Sequence, residues 1–140
     1  MGTTFYSYAI LGIRLSFRAL HDYKKVKAFE HNYPESWKVC PESGRKLWTS
    51  YWLAKPFVIG GGSTDRIEGF KIIEGEYENY DEGHRWQYVA ISSVQSHEKG
   101  AGRAPLDISP ETLAHFQEVL TKVGVWDEKA FGLWAVMTFC

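Results

Sequence analysis

Ser109-Pro110-Glu111-Thr112-Leu113-Ala114-His115-Phe116-Gln117-Glu118-Val119-Leu120-Thr121-Lys122-Val123-Gly124 decides the fold class. Serine at the N-cap, proline at the first helical position and an acidic first turn are a helix start. Leu113, Phe116, Leu120 and Val123 recur at helical spacing, and Gly124 stands in the C-cap region, so the pattern predicts a helix over 109–123. His115 lies beside the apolar stripe and reads as a flank residue, not a catalyst. A helix this short is unstable alone, so its stripe must be buried against something else.

That something is a sheet, because the rest of the chain reads as strands. Phe5 to Phe17 alternates, with Phe5, Ala9, Leu11, Ile13, Leu15 and Phe17 on one parity. His21 to Phe29 is a weaker strand carrying Tyr23, Val26 and Phe29 among lysines, and Lys46 to Leu53 is a third. Phe57-Val58-Ile59 runs into the loop Gly60-Gly61-Gly62-Ser63-Thr64, and Phe70 to Ile73 and Tyr77 to Tyr80 read as short segments either side of Gly75. Arg85 to Ser96 has apolar groups on both parities, which predicts a central strand, and Phe131 to Phe139 is a last apolar strand. One helix among six or seven strands predicts an α+β fold: a single domain over 1–140, with a largely antiparallel twisted sheet and the helix packed on one face.

At 140 residues the chain is long enough for one sizeable core. Sixteen Lys and Arg stand against 17 Asp and Glu, so overall charge gives no general attraction to nucleic acid. The distribution is uneven. Lys24, Lys25, Lys27, Lys38, Arg45 and Lys46 lie early, while Glu68, Glu74, Glu76, Glu78, Asp81 and Glu82 crowd the middle. The apolar run Ala9 to Leu15 is too short to span a bilayer and contains Arg14, and two distant cysteines make no disulfide framework, which points to a reducing, cytoplasmic setting.

Residues 30–53 form a polar excursion around Val39-Cys40-Pro41-Glu42-Ser43-Gly44-Arg45-Lys46, half of a zinc knuckle whose second cysteine position holds Ser43. A knuckle needs two thiolates at Cys-x-x-Cys spacing to meet a tetrahedral metal. With Cys140 the only other cysteine, the reading is a degenerate zinc-ribbon-like knuckle without metal; Glu30, His31, His21 and His84 are the residues that would have to complete a site. The Gly60 loop lacks the Gly-Lys-Ser/Thr ending of a P-loop and reads as a hairpin linker. His84, His97 and Cys140, or Ser43 and Ser63, form no nucleophile pattern, so no catalytic residue is assigned.

Tyr8-Ala9-Ile10-Leu11-Gly12-Ile13, His31 with Val39 to Trp48, and Val123-Gly124-Val125-Trp126-Asp127 through Phe131-Gly132-Leu133-Trp134-Ala135-Val136 carry a resemblance. In these segments the chain resembles small tailed-phage accessory proteins that open with a similar strand, carry a zinc-ribbon-like Cys-Pro-x-Cys-Gly insertion and end in a Gly-Leu-Trp-Asp segment. The likeness covers the two ends and the knuckle, leaves Lys55 to Pro105 without counterpart, and departs at Ser43.

The resemblance implies a phage accessory protein acting in the cytoplasm of an infected bacterial host. With no catalytic signature, the expectation is a non-enzymatic binder, without cofactor or metal, that inhibits or sequesters a host defence or regulatory component, a protein or a small signalling molecule. Glu74, Glu76 and Glu78, read as one face of a strand that mimics phosphates, would make the contact, with Trp48 and Trp86 as aromatic anchors. The alternative is nucleic-acid binding through the knuckle region, with Lys24, Lys25, Lys27, Arg45 and Lys46 on phosphates and Trp37 or Trp48 stacking on bases.

Overall fold

The computed structural model describes residues 5–27, 33–34, 36–60, 65–97, 103 and 105–139, without the side chains of 5, 6, 26, 27, 97, 138 and 139. The described chain is mostly antiparallel strand with one helix longer than a single turn, an α+β architecture. It divides into two compact units: Met1–Leu20 with Pro56–Cys140, and His21–Lys55.

The larger unit is built on a five-stranded sheet of β1 (Phe5–Leu15), β4 (Arg66–Ile67), β5 (Phe70–Asn79), β6 (His84–His97) and β7 (Phe131–Phe139), in the order β4-β5-β6-β1-β7. β6, apolar on both parities, occupies the central position. The helix, α2 (Pro110–Lys122), starts as its sequence dictates: the Ser109 hydroxyl accepts the Thr112 N–H at 3.2 Å. It stops at Gly124, whose φ of +83° lets the chain reverse so that the Val125 and Trp126 N–H groups donate to the Leu120 carbonyl at 2.9 and 3.1 Å. The buried side of α2 is Phe116, Val119 and Leu120, packed with Ile13, Leu15, Leu20, Ile67, Ile72 and Val89. Leu113, the first member of the predicted stripe, is 39% exposed; the burial axis runs through Val119 instead.

Three local features depart from the sequence expectation. β1 ends at Leu15, two residues early, and Phe17–Leu20 forms a single helical turn, α1; the Phe17 N–H is taken by the Glu78 carboxylate at 2.8 Å. β5 runs unbroken through Gly75, with register shifts on either side of Tyr77 where the Tyr88 ring lies over the glycine. Among the described residues Phe57-Val58-Ile59 contributes one bridge, Ile59 to Arg66, while Arg66–Ile67 forms the edge strand.

Alternation places Ile10, Gly12 and Arg14 on the sheet face opposite Ile13 and Leu15. A second core of Ile10, Ile73, Tyr88, Ala90 and Val136 fills that face, with Tyr8, Trp86 and Trp134 around it. Gly12 is required at the irregularity between β1 and β6, since a Cβ there would fall on the Val89 carbonyl oxygen.

The smaller unit is a two-stranded antiparallel ribbon, β2 (His21–Lys27) against β3 (Trp48–Ala54), with Tyr23 opposite Trp52, Lys25 opposite Ser50 and Lys27 opposite Trp48. The intervening segment closes in a tight turn: Val39 bridges Lys46, the Cys40 N–H donates to the Arg45 carbonyl at 2.8 Å and the Gly44 N–H to the Cys40 carbonyl at 2.8 Å. No helix among the described residues is long and apolar enough to cross a membrane.

Candidate functional site

The ribbon separates the charge of the chain. His21–Lys55 contains seven Lys and Arg (24, 25, 27, 38, 45, 46, 55) against four Asp and Glu (22, 30, 35, 42), a formal +3; the remainder holds nine against thirteen, −4. The same segment holds seven aromatic residues, three of them tryptophan.

Register decides which of these side chains meet. Because alternate residues share a face, Tyr23 and Lys25 of β2 lie on the side of Trp48, Ser50 and Trp52 of β3. Tyr23 and Trp52 pack edge to face with ring centroids 5.2 Å apart, and the Lys25 Nζ sits 4.8 Å over the Trp48 ring. Aromatic and cationic groups thus alternate along one ribbon face. Tyr23 is 56% exposed. On the other face Lys24 lies opposite Tyr51, which is also exposed. Trp48 is held by its Nε1–H, which donates to the Trp37 carbonyl at 3.1 Å, and Trp37 stacks on Tyr33 at 5.2 Å and 16°. Arg45 and Lys46 are exposed at the turn. The side chain of Lys27 lies outside the described residues.

Cys40 is buried within that turn. Hydrogen bonds to its sulfur from the Ser43 hydroxyl, and then from the Ser43 and Glu42 backbone, pull its thiol down to about 7 against the opposing effect of burial. The Tyr33 hydroxyl, 3.8 Å from the sulfur, is raised in turn by that contact. Among the described residues no group of three or more His, Cys, Asp or Glu is arranged to hold a metal ion; Glu30, His31 and Cys140 lie outside them, as do residues 61–64 of the glycine loop and the His97 side chain.

The acidic run of β5 is largely committed within its own unit. Glu76 accepts the Tyr88 hydroxyl at 3.0 Å with both oxygens and pairs with Arg14 at 3.5 Å; burial first, then Glu76, pushes the Tyr88 phenol up to about 12. Glu78 accepts the Phe17 N–H, and Glu82 pairs with Arg18 at 3.3 Å and with His84 Nδ1 at 3.0 Å. The register shifts around Tyr77 interrupt plain alternation, so Glu74, Glu76 and Glu78 do not form the simple carboxylate row that their spacing suggests. Trp86 is half-buried, its ring covered by the Arg14 guanidinium at 4.2 Å, with Trp134 on that guanidinium at 4.9 Å. His84 is buried and stacked on Phe17 with centroids 4.3 Å apart, a packing role.

Sequence reasoning named Trp48 and the lysines but missed Tyr23, Trp52 and Tyr51. Their signal was the pairing of His21–Lys27 with Trp48–Ala54, which no local pattern specifies. Compared with protein-family models, curated proteins and solved structures, the chain has no significant match.

Proposed function

We propose that the protein binds single-stranded nucleic acid through the His21–Lys55 unit. Bases stack on Tyr23, Trp52 and the adjoining Trp48, and Lys24, Lys25, Arg45 and Lys46 neutralise phosphates. The observation that carries this reading is the alternation on one ribbon face: the Tyr23–Trp52 pair beside Lys25 over Trp48. Base stacking on aromatic side chains supplies about 1–3 kcal/mol per base and needs no defined sequence, and interleaved cations track the backbone. The local +3 charge supports it where the charge of the whole chain does not.

On this reading the turn at Cys40 is a zinc-ribbon-like knuckle held by hydrogen bonds, with Ser43 Oγ accepting the Arg45 N–H at 3.4 Å where a second thiolate would bind metal. The contact through Glu74, Glu76 and Glu78 draws less support, since two of the three carboxylates already have partners in the fold.

The test is fluorescence anisotropy of labelled single-stranded and duplex oligonucleotides of one length, with the full chain and with Tyr23→Ala and Trp52→Ala. Single strands are expected to bind more tightly than duplex, and each substitution to weaken them by about 1–3 kcal/mol. Equal affinity for both forms, or unchanged binding by both variants with native circular dichroism, would overturn the proposal.

A further inference from the structure

We propose that Lys25 sets the ligand class of the ribbon: it caps the Trp48 ring in the free protein and yields that ring to a base only when a phosphate takes its ammonium, so the site selects strands with an anionic backbone over uncharged nucleosides and other flat aromatic ligands. This role rests on the nucleic-acid reading of the same face. Trp48, Ser50 and Trp52 follow one another on that face of β3, and Lys25 stands directly across from Ser50. Trp52 is met by the Tyr23 ring, edge to face at 5.2 Å. Trp48 is met by the Lys25 Nζ, 4.8 Å from the ring centroid. Ser50 is small and exposed, so it is Lys25 that reaches toward Trp48 from the position between the two indoles.

A cation and a base cannot both lie on the same side of one ring. Displacing the ammonium by an uncharged ligand gives up the cation–π attraction, about two- to fivefold in affinity at an exposed site, and supplies no partner for the freed charge. Displacing it by a strand brings a phosphate within reach of that ammonium, and the release of counterions favours the exchange. The contact that opposes a neutral ligand is thus replaced when the ligand carries charge, and selectivity is the difference between the two cases. Trp48 is held by its Nε1–H on the Trp37 carbonyl at 3.1 Å, whereas Lys25 is exposed, so the exchange moves the lysine and not the ring.

Two labelled single-stranded oligonucleotides of one sequence, one phosphodiester and one methylphosphonate with an uncharged backbone, test this by fluorescence anisotropy with the full chain and with Lys25→Ala. The substitution is expected to tighten the methylphosphonate strand by about two- to fivefold and to weaken the phosphodiester strand. Opposite signs separate the cap from simpler roles: a lysine that only neutralises phosphate would leave the uncharged strand unchanged, and a variant that lost its fold would weaken both. NMR of the wild-type chain needs no variant: the Lys25 ε-methylene protons should be shifted upfield by the Trp48 ring, and saturation with the phosphodiester strand should abolish that shift. An uncharged strand that binds Lys25→Ala no more tightly than wild type would overturn the proposal, as would an ε-methylene shift that persists in the saturated complex. Failure of the phosphodiester strand to bind at all would overturn the nucleic-acid reading itself, and this role with it.

Discussion

Phe116→Ala is the sharpest test of how the helix is held. Phe116 has no solvent exposure and its ring meets three other aromatic rings: Phe70 edge-on at 4.9 Å, Phe131 at 5.9 Å and Trp126 at 6.2 Å. Truncating a buried phenylalanine costs about 3–5 kcal/mol through lost transfer energy and the cavity left behind. Here the upper end is expected, because rigid rings fixed by a strand, a helix stop and a sheet edge collapse poorly, and each aromatic pair contributes about 0.5–1.5 kcal/mol beyond its area. With an unfolding entropy of about 2.1 cal/mol/K per residue, the chain's 140 residues convert a loss of about 4 kcal/mol into a fall in Tm of about 14 °C. Thermal melts by circular dichroism read that shift. An exposed residue of the same helix is the control: Glu118→Ala should move Tm by no more than about 2 °C, as surface changes stay within about 0.5 kcal/mol. Equal effects of the two substitutions would refute the placement of the buried helix face.

Gly12→Ala should destabilise by about 3 kcal/mol or more, because its methyl group meets the Val89 backbone, which cannot move without parting β1 from β6. Gly132→Ala, opposite Gly12 in β7 with open space around the added carbon, should be neutral or slightly stabilising, and urea unfolding of the pair separates the cases. Alkylation of Cys40 by iodoacetamide, followed by mass spectrometry in a chain whose Cys140 is replaced by serine, should rise with pH around an apparent pKa of about 7. Ser43→Ala removes the largest stabilisation of the thiolate, so the midpoint should move up; an unmoved midpoint would refute the hydrogen-bonded turn.

The helix was legible in the sequence because its signals are local. Ser109, Pro110 and Gly124 act within one turn of themselves, and the apolar spacing needs only the helix period. The central place of β6 was legible for a related reason, since a strand with apolar side chains on both parities must be covered on both faces. Leu113 was misplaced because helical spacing defines a stripe but not its centre, which the positions of Phe70, Ile72 and Trp126 fix. The acidic run was legible only as spacing: the register shifts around Tyr77 that break its alternation belong to the pairing of β5 with β6, which no local pattern specifies. The ribbon face was half legible. Lysines and tryptophans stood out by type, but the meeting of Tyr23 with Trp52 follows from a pairing that closes across more than twenty residues.

Salt dependence is the most direct measurement of the functional account. Anisotropy titrations of the full chain with a single-stranded oligonucleotide at several salt concentrations give the slope of log K against log salt. Contacts from Lys24, Lys25, Arg45 and Lys46 to three or four phosphates predict a slope of about −2 to −3. Charge reversal by Lys24→Glu and Lys25→Glu should weaken binding and flatten that slope, while reversal of Glu74 should leave both unchanged. Absence of binding at low salt, or a slope near zero that lysine reversal does not alter, would contradict the account.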